Sequence, residues 1–444
     1  MSQPTQQLAS LVVGTSLEDL PPEIVHEAKR GLLDFVGCAL IGSRFPDADI
    51  IAGVVQEQGG APQASAIGRG FRTSALNAAL VNGTLGHLLD YDDTQLETKI
   101  HATTPTAAAI LALAEANGRS GCDVLLAYVL GYEVAVRAVR VVAPSHYDFG
   151  WHVTGSAGVF GAAAGAGRLL GLDAATLTMA LGVAATQSSG FRENFGTMSK
   201  PFHAGKAAMN GLLAALLASR GFTASPRVFE SEIGWAGATS DDPKPERLVE
   251  AWGERWAIAR NSIKPYACGL VSHPVIDGCL VMRDRHGVKP ADVASIALEV
   301  HELALRLTGK PEPTTGLEGK FSIFHCAAIA LTDGQATEDQ FTDERVRDPQ
   351  IVALRRLASA TINPELKQSQ AVIRLTTRDG RTIVERVEAQ KGIPQNPLDD
   401  AELEAKFRAN AEPVLGPDRT RQVAQQLWTI DQAASVAPLL GLLG

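Results

Sequence analysis

Aromatic residues supply only 5% of the 444 positions, and the five cysteines (Cys38, Cys122, Cys268, Cys279 and Cys326) form no C-x-x-C pair. An odd, scattered set of this kind excludes a disulfide framework and reads as buried free thiols in a reducing compartment, with the cytoplasm as the expected location. There is no Lys/Arg block and the net charge is −9, so the electrostatic footprint of a partner such as nucleic acid or an anionic membrane surface is missing. No apolar run reaches the ~20 residues of a membrane span. The most apolar tract, 125–142, is interrupted by Glu133 and Arg137 and reads as a buried helix. The first twenty residues lack a basic stretch followed by an apolar one, so no signal peptide is expected. G-x-S-x-G, Walker, strand-linked G-x-G-x-x-G and H-E-x-x-H motifs are all missing, which removes the common hydrolase, nucleotide-binding and zinc-protease readings.

What remains is an ordinary globular composition, 45% hydrophobic and 20% charged, on a chain longer than the ~250–300 residues at which single cores stop growing. Two domains are therefore expected. Apolar residues recur at three and four positions over 22–41, 75–89, 104–116, 121–141, 154–170, 174–186 and 205–218, predicting helices throughout the first 220 residues. Frequent Gly and Ala within them permit close helix approach. Beyond Trp252 the pattern turns β-branched at 293–300, 371–376 and 382–388, the last two flanking the hairpin turn Arg378-Asp379-Gly380. Helical patterns at 305–308, 321–331 and 349–360 fall among them, and 399–410 and 419–429 return to helix. The fold class is mainly α, with a large helical domain built from both chain ends (1–263 and 394–444) and a smaller α+β domain over 264–393.

Four clusters of ionisable residues fall at predicted element ends. The first is His87-Leu-Leu-Asp90-Tyr91-Asp92-Asp93-Thr94, followed by His101. Acids at a helix C-terminus oppose its dipole and ask for compensation, either as a carboxylate orienting a histidine, as metal ligands, or as a polar loop capping the next helix. The His and Asp residues there lack any recognised zinc or calcium spacing. The second, Ser145 to Thr154, places Tyr147, His146 and His152 before a predicted helix, whose positive end favours a carboxylate. His146 reads as a buried, satisfied ring. In the third, Arg192 to Lys206, Arg192 and Lys200 suit carboxylate clamping, against a solvated loop as the plainer reading. The fourth contains Lys264 and His273 at the border of the two predicted domains, where small-molecule sites preferentially form.

Together, H-x-x-D-Y-D-D-T with His101, G-W-H-x-T-G (150–155), E-N-F-G-T-M-S-K-P-F-H-A-G-K-A-A (193–208) and K-P-Y-A-C-G…H-P (264–274) resemble the MmgE/PrpD family across nearly the whole chain. The resemblance implies a helical domain with an α+β lid, a homodimer, an active site in the cleft between the domains, and no metal or organic cofactor. It implies a lyase, dehydrating or decarboxylating a small di- or tricarboxylate such as 2-methylcitrate or cis-aconitate. An epimerase or racemase of a dicarboxylate such as iminodisuccinate is the alternative, and a non-catalytic carboxylate-binding dimer the second. Asp90, Thr94, His101, His152, Lys200 and Lys264 fall on the family's active-site positions, and Tyr147 is similar to a tyrosine proposed to act in the epimerase. In this reading His101, held by Asp90, is the general acid/base and His152 or Tyr147 the second proton-transfer group. Lys200 and Lys264 supply positive charge, and Thr94, Arg192, His273 and His325 bind substrate. The chain departs from the decarboxylases in carrying His325 where they place a tyrosine, and in lacking a histidine five residues after Lys264.

Overall fold

The computed structural model describes residues 3–444. It divides into two compact units, one comprising residues up to Ser262 together with Asp399–Gly444, the other Ile263–Leu398.

In the larger unit, helices Thr103–Asn117, Gly121–Val142 and Gly158–Leu170 are buried on nearly every side, as small and apolar residues all round a helix require. Backbones meet where side chains vanish: a methyl on Gly131 would stand 2.7 Å from the carbonyl oxygen of Gly161. Helix Ala75–His87 crosses helix Ser199–Ala218 in the same way, because a methyl on Gly205 would lie 2.2 Å from the Leu80 carbonyl oxygen. Two short antiparallel ladders interrupt this helical unit, Ala64–Ala66 with Phe71–Thr73 and Thr94–Gln95 with Asn261–Ser262. They are too short for a period-two signal to register in sequence.

The larger unit differs from the sequence expectation in three places, the first two at the site. The helix predicted to begin at 205 starts at Ser199, which puts Lys200 and His203 on its first turns rather than in a loop. The helix predicted over 154–170 is broken at Ala157 into Val153–Ser156 and Gly158–Leu170, so the dipole expected after His152 is that of one turn. Helices Pro4–Gly14 and Pro46–Gln58, each opened by proline, were not anticipated.

The smaller unit is built on a four-stranded sheet in the order Ala358–Ile362, Val293–Val300, Ala371–Thr377, Thr382–Val387. Its first pair is parallel and the others antiparallel, with the hairpin turning at Gly380. Helix His273–Asp284 packs on the sheet and on helix Ile323–Asp333. The helix predicted over 349–360 ends at Arg355, and Ala358–Ile362 is an edge strand. Pairing with Val293–Val300 outweighs the helix-forming alanines there. Among the described residues no helix is long and apolar enough to cross a membrane. All five cysteines are free; four are buried and Cys122 is half-buried.

Candidate active site

The Asp-Tyr-Asp-Asp run leaves helix Ala75–His87 through a left-handed Asp90 (φ 55°), a conformation that Asp tolerates better than most residues. Each acid then finds its own compensation. The Lys200 ammonium lies 2.5 Å from Asp90 Oδ1. Asp92 accepts the Thr104 hydroxyl at 2.6 Å, from the first turn of helix Thr103–Asn117. Asp93 accepts from the Thr103 hydroxyl and the Asn261 amide. Acids that oppose one helix dipole thus stand at the positive end of the next. Beneath them Lys406, from the C-terminal segment, lies 2.6 Å from Asp34 Oδ1, donates to the Tyr91 carbonyl at 2.8 Å, and sits 3.9 Å from the centre of the Tyr91 ring.

Asp92 joins two imidazoles. Its Oδ2 lies 2.9 Å from His87 Nδ1 and 3.2 Å from His101 Nδ1. The sequence reading had Asp90 hold His101, but Asp90 Oδ1 is 3.8 Å from His101 Nε2 and is committed to Lys200. Asp92 is the carboxylate that orients His101. Thr94 places its hydroxyl 3.3 Å from His101 Nδ1, and the His101 backbone N–H donates to the Thr154 hydroxyl at 3.2 Å. His87 stacks on His152 with ring centres 5.7 Å apart, and the His152 and His203 Nδ1 atoms are 3.0 Å apart. Phe195 closes edge-on against His152, its ring centre 5.0 Å away.

Burial pushes the His87 imidazole down to about 4, against the pull of Asp92, so it is neutral near pH 7. Burial alone would raise the Asp92 carboxyl, but His101 and His87 hold it well below the usual carboxylate range. Asp93 goes the other way. Burial and then the Asp34 charge raise it to about 8, against the Thr103 and Asn261 hydrogen bonds, and it keeps its proton at neutral pH. The arrangement is an ionised carboxylate on an imidazole, with an ammonium alongside, which suits moving a proton and steadying the charge left behind. His87, Asp90, Asp92 and His101 also place one donor atom each within 4.8 Å of one another. Asp92 already bonds to both imidazoles, and Lys200 already sets a positive charge on Asp90.

Of the residues singled out in sequence, Asp90, Thr94, His101, His152 and Lys200 meet in this cluster. Tyr147 stands apart, its ring between Lys99 Nζ at 4.3 Å and the Arg192 guanidinium at 4.0 Å, with Arg192 also donating to the Tyr147 carbonyl at 2.9 Å. His146 is buried, its ring nitrogens 3.1 Å from the Thr239 carbonyl oxygen and 2.8 Å from the Ser156 hydroxyl. Lys264, His273 and His325 belong to the smaller unit. There Lys264 is buried, His273 Nε2 lies 3.3 Å from the Cys268 carbonyl oxygen, and His325 Nε2 lies 2.9 Å from that of Gln340. Burial raises the Cys268 thiol well above its usual range, which removes it as a nucleophile.

Asp92, His87 and His203 were not assigned roles from sequence. His203 had a usable signal: it follows Lys200 by three residues, a spacing that puts both on one helix face.

The chain matches the family model of the MmgE/PrpD N-terminal domain over residues 6–248 and that of the MmgE/PrpD C-terminal domain over residues 266–430. It is 28% identical over 473 residues to a cis-aconitate decarboxylase of Aspergillus terreus, covering 99% of this chain and 95% of the relative. It is 27% identical over 460 residues to the cis-aconitate decarboxylase of Homo sapiens, covering 99% and 94%. It is 23% identical over 385 residues to a 2-methylcitrate dehydratase of Cupriavidus necator, covering 82% and 78%. With both of the family's domains matched in order over most of its length, the chain belongs to the MmgE/PrpD family.

Proposed function

We propose that the protein is a lyase that dehydrates or decarboxylates a small di- or tricarboxylate by moving a proton at a carbon next to a carboxylate, with no metal or organic cofactor. The observation that carries this reading is the Asp92–His101 pair beside the Asp90–Lys200 ion pair. His101 is the general acid/base and Asp92 fixes its ring. Lys200 offers its charge to the substrate carboxylate or to the charge developing beside it, and Thr94 lines the same position. His152 is the second proton-transfer group. On the sequence pattern alone, Lys264 enters as a further positive charge, Tyr147 as the alternative to His152, and Arg192, His273 and His325 as substrate contacts. The names of the relatives support the substrate class.

The test is proton NMR in deuterium oxide, on EDTA-treated protein, with citrate, 2-methylcitrate, cis-aconitate, tartrate and iminodisuccinate. Vinyl signals that appear or vanish, and fall by roughly 10²–10⁴-fold with His101→Ala, are the expected result. Carbon-bound exchange without vinyl change would move the protein to the epimerases. Activity lost to EDTA and regained with a divalent ion would overturn the cofactor-free reading.

A further inference from the structure

His203 touches the cluster and has no part in the reaction as written above. Its Nδ1 is 3.0 Å from the Nδ1 of His152, with the two rings tilted by 53°. Two ring nitrogens at that distance form a hydrogen bond only if one carries hydrogen and the other presents a lone pair. Both residues are held in place. The His152 backbone N–H donates to the Gly190 carbonyl oxygen at 3.0 Å. A methyl on Gly190 (φ +120°) would stand 3.2 Å from the Cγ and Nδ1 of His203, and one on Gly155 would stand 3.0 Å from its Cβ. These two glycines form a slot shaped to the His203 side chain. Burial lowers both imidazoles, and the charge of Lys200 adds to the effect on each, so near pH 7 both rings are neutral and each carries one N–H. The two rings differ in access to water, since His152 is 2% exposed and His203 is half-buried.

We propose that His203 is a positioning residue for His152 and the route by which His152 exchanges its proton with solvent. At rest, the His152 Nδ1–H donates to the lone pair on His203 Nδ1, leaving His152 Nε2 unprotonated and His203 Nε2 protonated. When His152 Nε2 takes a proton from the substrate carbon, its Nδ1 proton moves to His203 Nδ1 and the His203 Nε2 proton leaves to water. One proton enters, one leaves, and neither ring retains charge; both have exchanged tautomers. Run backwards, the relay delivers a proton to the substrate. The relay rests on the lyase reading, whereas the positioning role rests on the hydrogen bond alone.

The test has two arms. In protein labelled with ¹⁵N-histidine, long-range ¹H–¹⁵N spectra assign the tautomers. His152 and His203 are expected to be opposite, with only one Nδ1 protonated, and His203→Ala is expected to change the tautomer of His152. Two rings both protonated at Nε2, or His152 signals indifferent to His203→Ala, would overturn the positioning role. In the kinetic arm, with the substrate found by NMR, His203→Ala is expected to lower kcat at least tenfold with KM within twofold. Added imidazole should restore the rate in proportion to its concentration, which a purely structural defect would not show. His203→Gln, which keeps a hydrogen-bonding group but cannot relay a proton, is expected to stay slow in imidazole. An unchanged kcat in His203→Ala, or a loss that imidazole does not touch in variants with native melting curves, would overturn the relay. If the wild-type protein turns over nothing in the panel, the lyase reading and the relay fall together, and the spectra still decide the positioning role.

Discussion

Asp93 holds a proton near neutral pH because burial and the Asp34 charge outweigh its two hydrogen-bond donors. An unfolded Asp titrates near 3.9, so between about 4 and about 8 the folded state binds the extra proton and stability falls as pH rises. Asp93→Asn removes that slope. Relative to wild type, the variant should gain on the order of a few kcal/mol by pH 8, read from denaturant midpoints across the range; parallel curves would show Asp93 ionised in the fold. Lys406 has the opposite character. Although burial opposes its charge, Asp34 holds its pKa above the usual lysine range. Lys406→Met leaves Asp34 as a buried charge without its ammonium, and removing one partner of such a pair costs about 3–5 kcal/mol. The double variant with Asp34→Asn should recover part of that loss in urea unfolding.

Helix Ala75–His87 carries His87 and leads into the Asp90–Asp93 turn, helix Ser199–Ala218 carries Lys200 and His203, and the two approach through Gly83 and Gly205. Gly205→Ala forces its methyl against the Leu80 carbonyl, and overpacking of this kind costs about 1–3 kcal/mol. The displaced helix also carries Lys200, so turnover should fall more than the melting temperature implies. A variant with reduced stability and full kcat would show that the crossing does not set the site. The same two helices mark how far sequence reaches. Their apolar cores were legible from periodicity, as were strands 293–300 and 371–376, because burial on one face writes a period into the chain. The early start of Ser199–Ala218 was not, since Ser-Lys-Pro-Phe-His reads as polar loop until the ion pair with Asp90 is seen. Neither was the edge strand Ala358–Ile362, which exists by pairing with a partner some sixty residues earlier. The ionisable residue types at the site could be read in order along the chain, but not their pairing. Asp90 and Asp92 are equally plausible partners for His101 in one dimension, and only the turn at Asp90 separates them.

Across the molecule, five imidazoles share one sign. Burial pushes His87, His146 and His325 down to about 4 and lowers His152 and His203. Each therefore favours the folded state fully above the unfolded value near 6.5, and that contribution is lost as pH falls below it, for His87, His146 and His325 toward about 4. Acid unfolding should begin in that window, ahead of carboxylate titration. Four of the five lie in the larger unit, so hydrogen exchange should show its helices opening before the sheet of the smaller one. The homodimer expected from the family resemblance predicts a sedimenting mass twice the 46.9 kDa of the chain; a mass of one chain would remove it.

The Lys406 contact with Asp34 and with the Tyr91 carbonyl also sets an order of events during synthesis. The loop bearing Asp90, Asp92 and Asp93 emerges from the ribosome early, yet the ammonium beneath it arrives only after the whole smaller unit has been translated. Nascent chains stalled before 399 should therefore carry every residue of the imidazole cluster and remain inactive, with turnover appearing once the last helices dock.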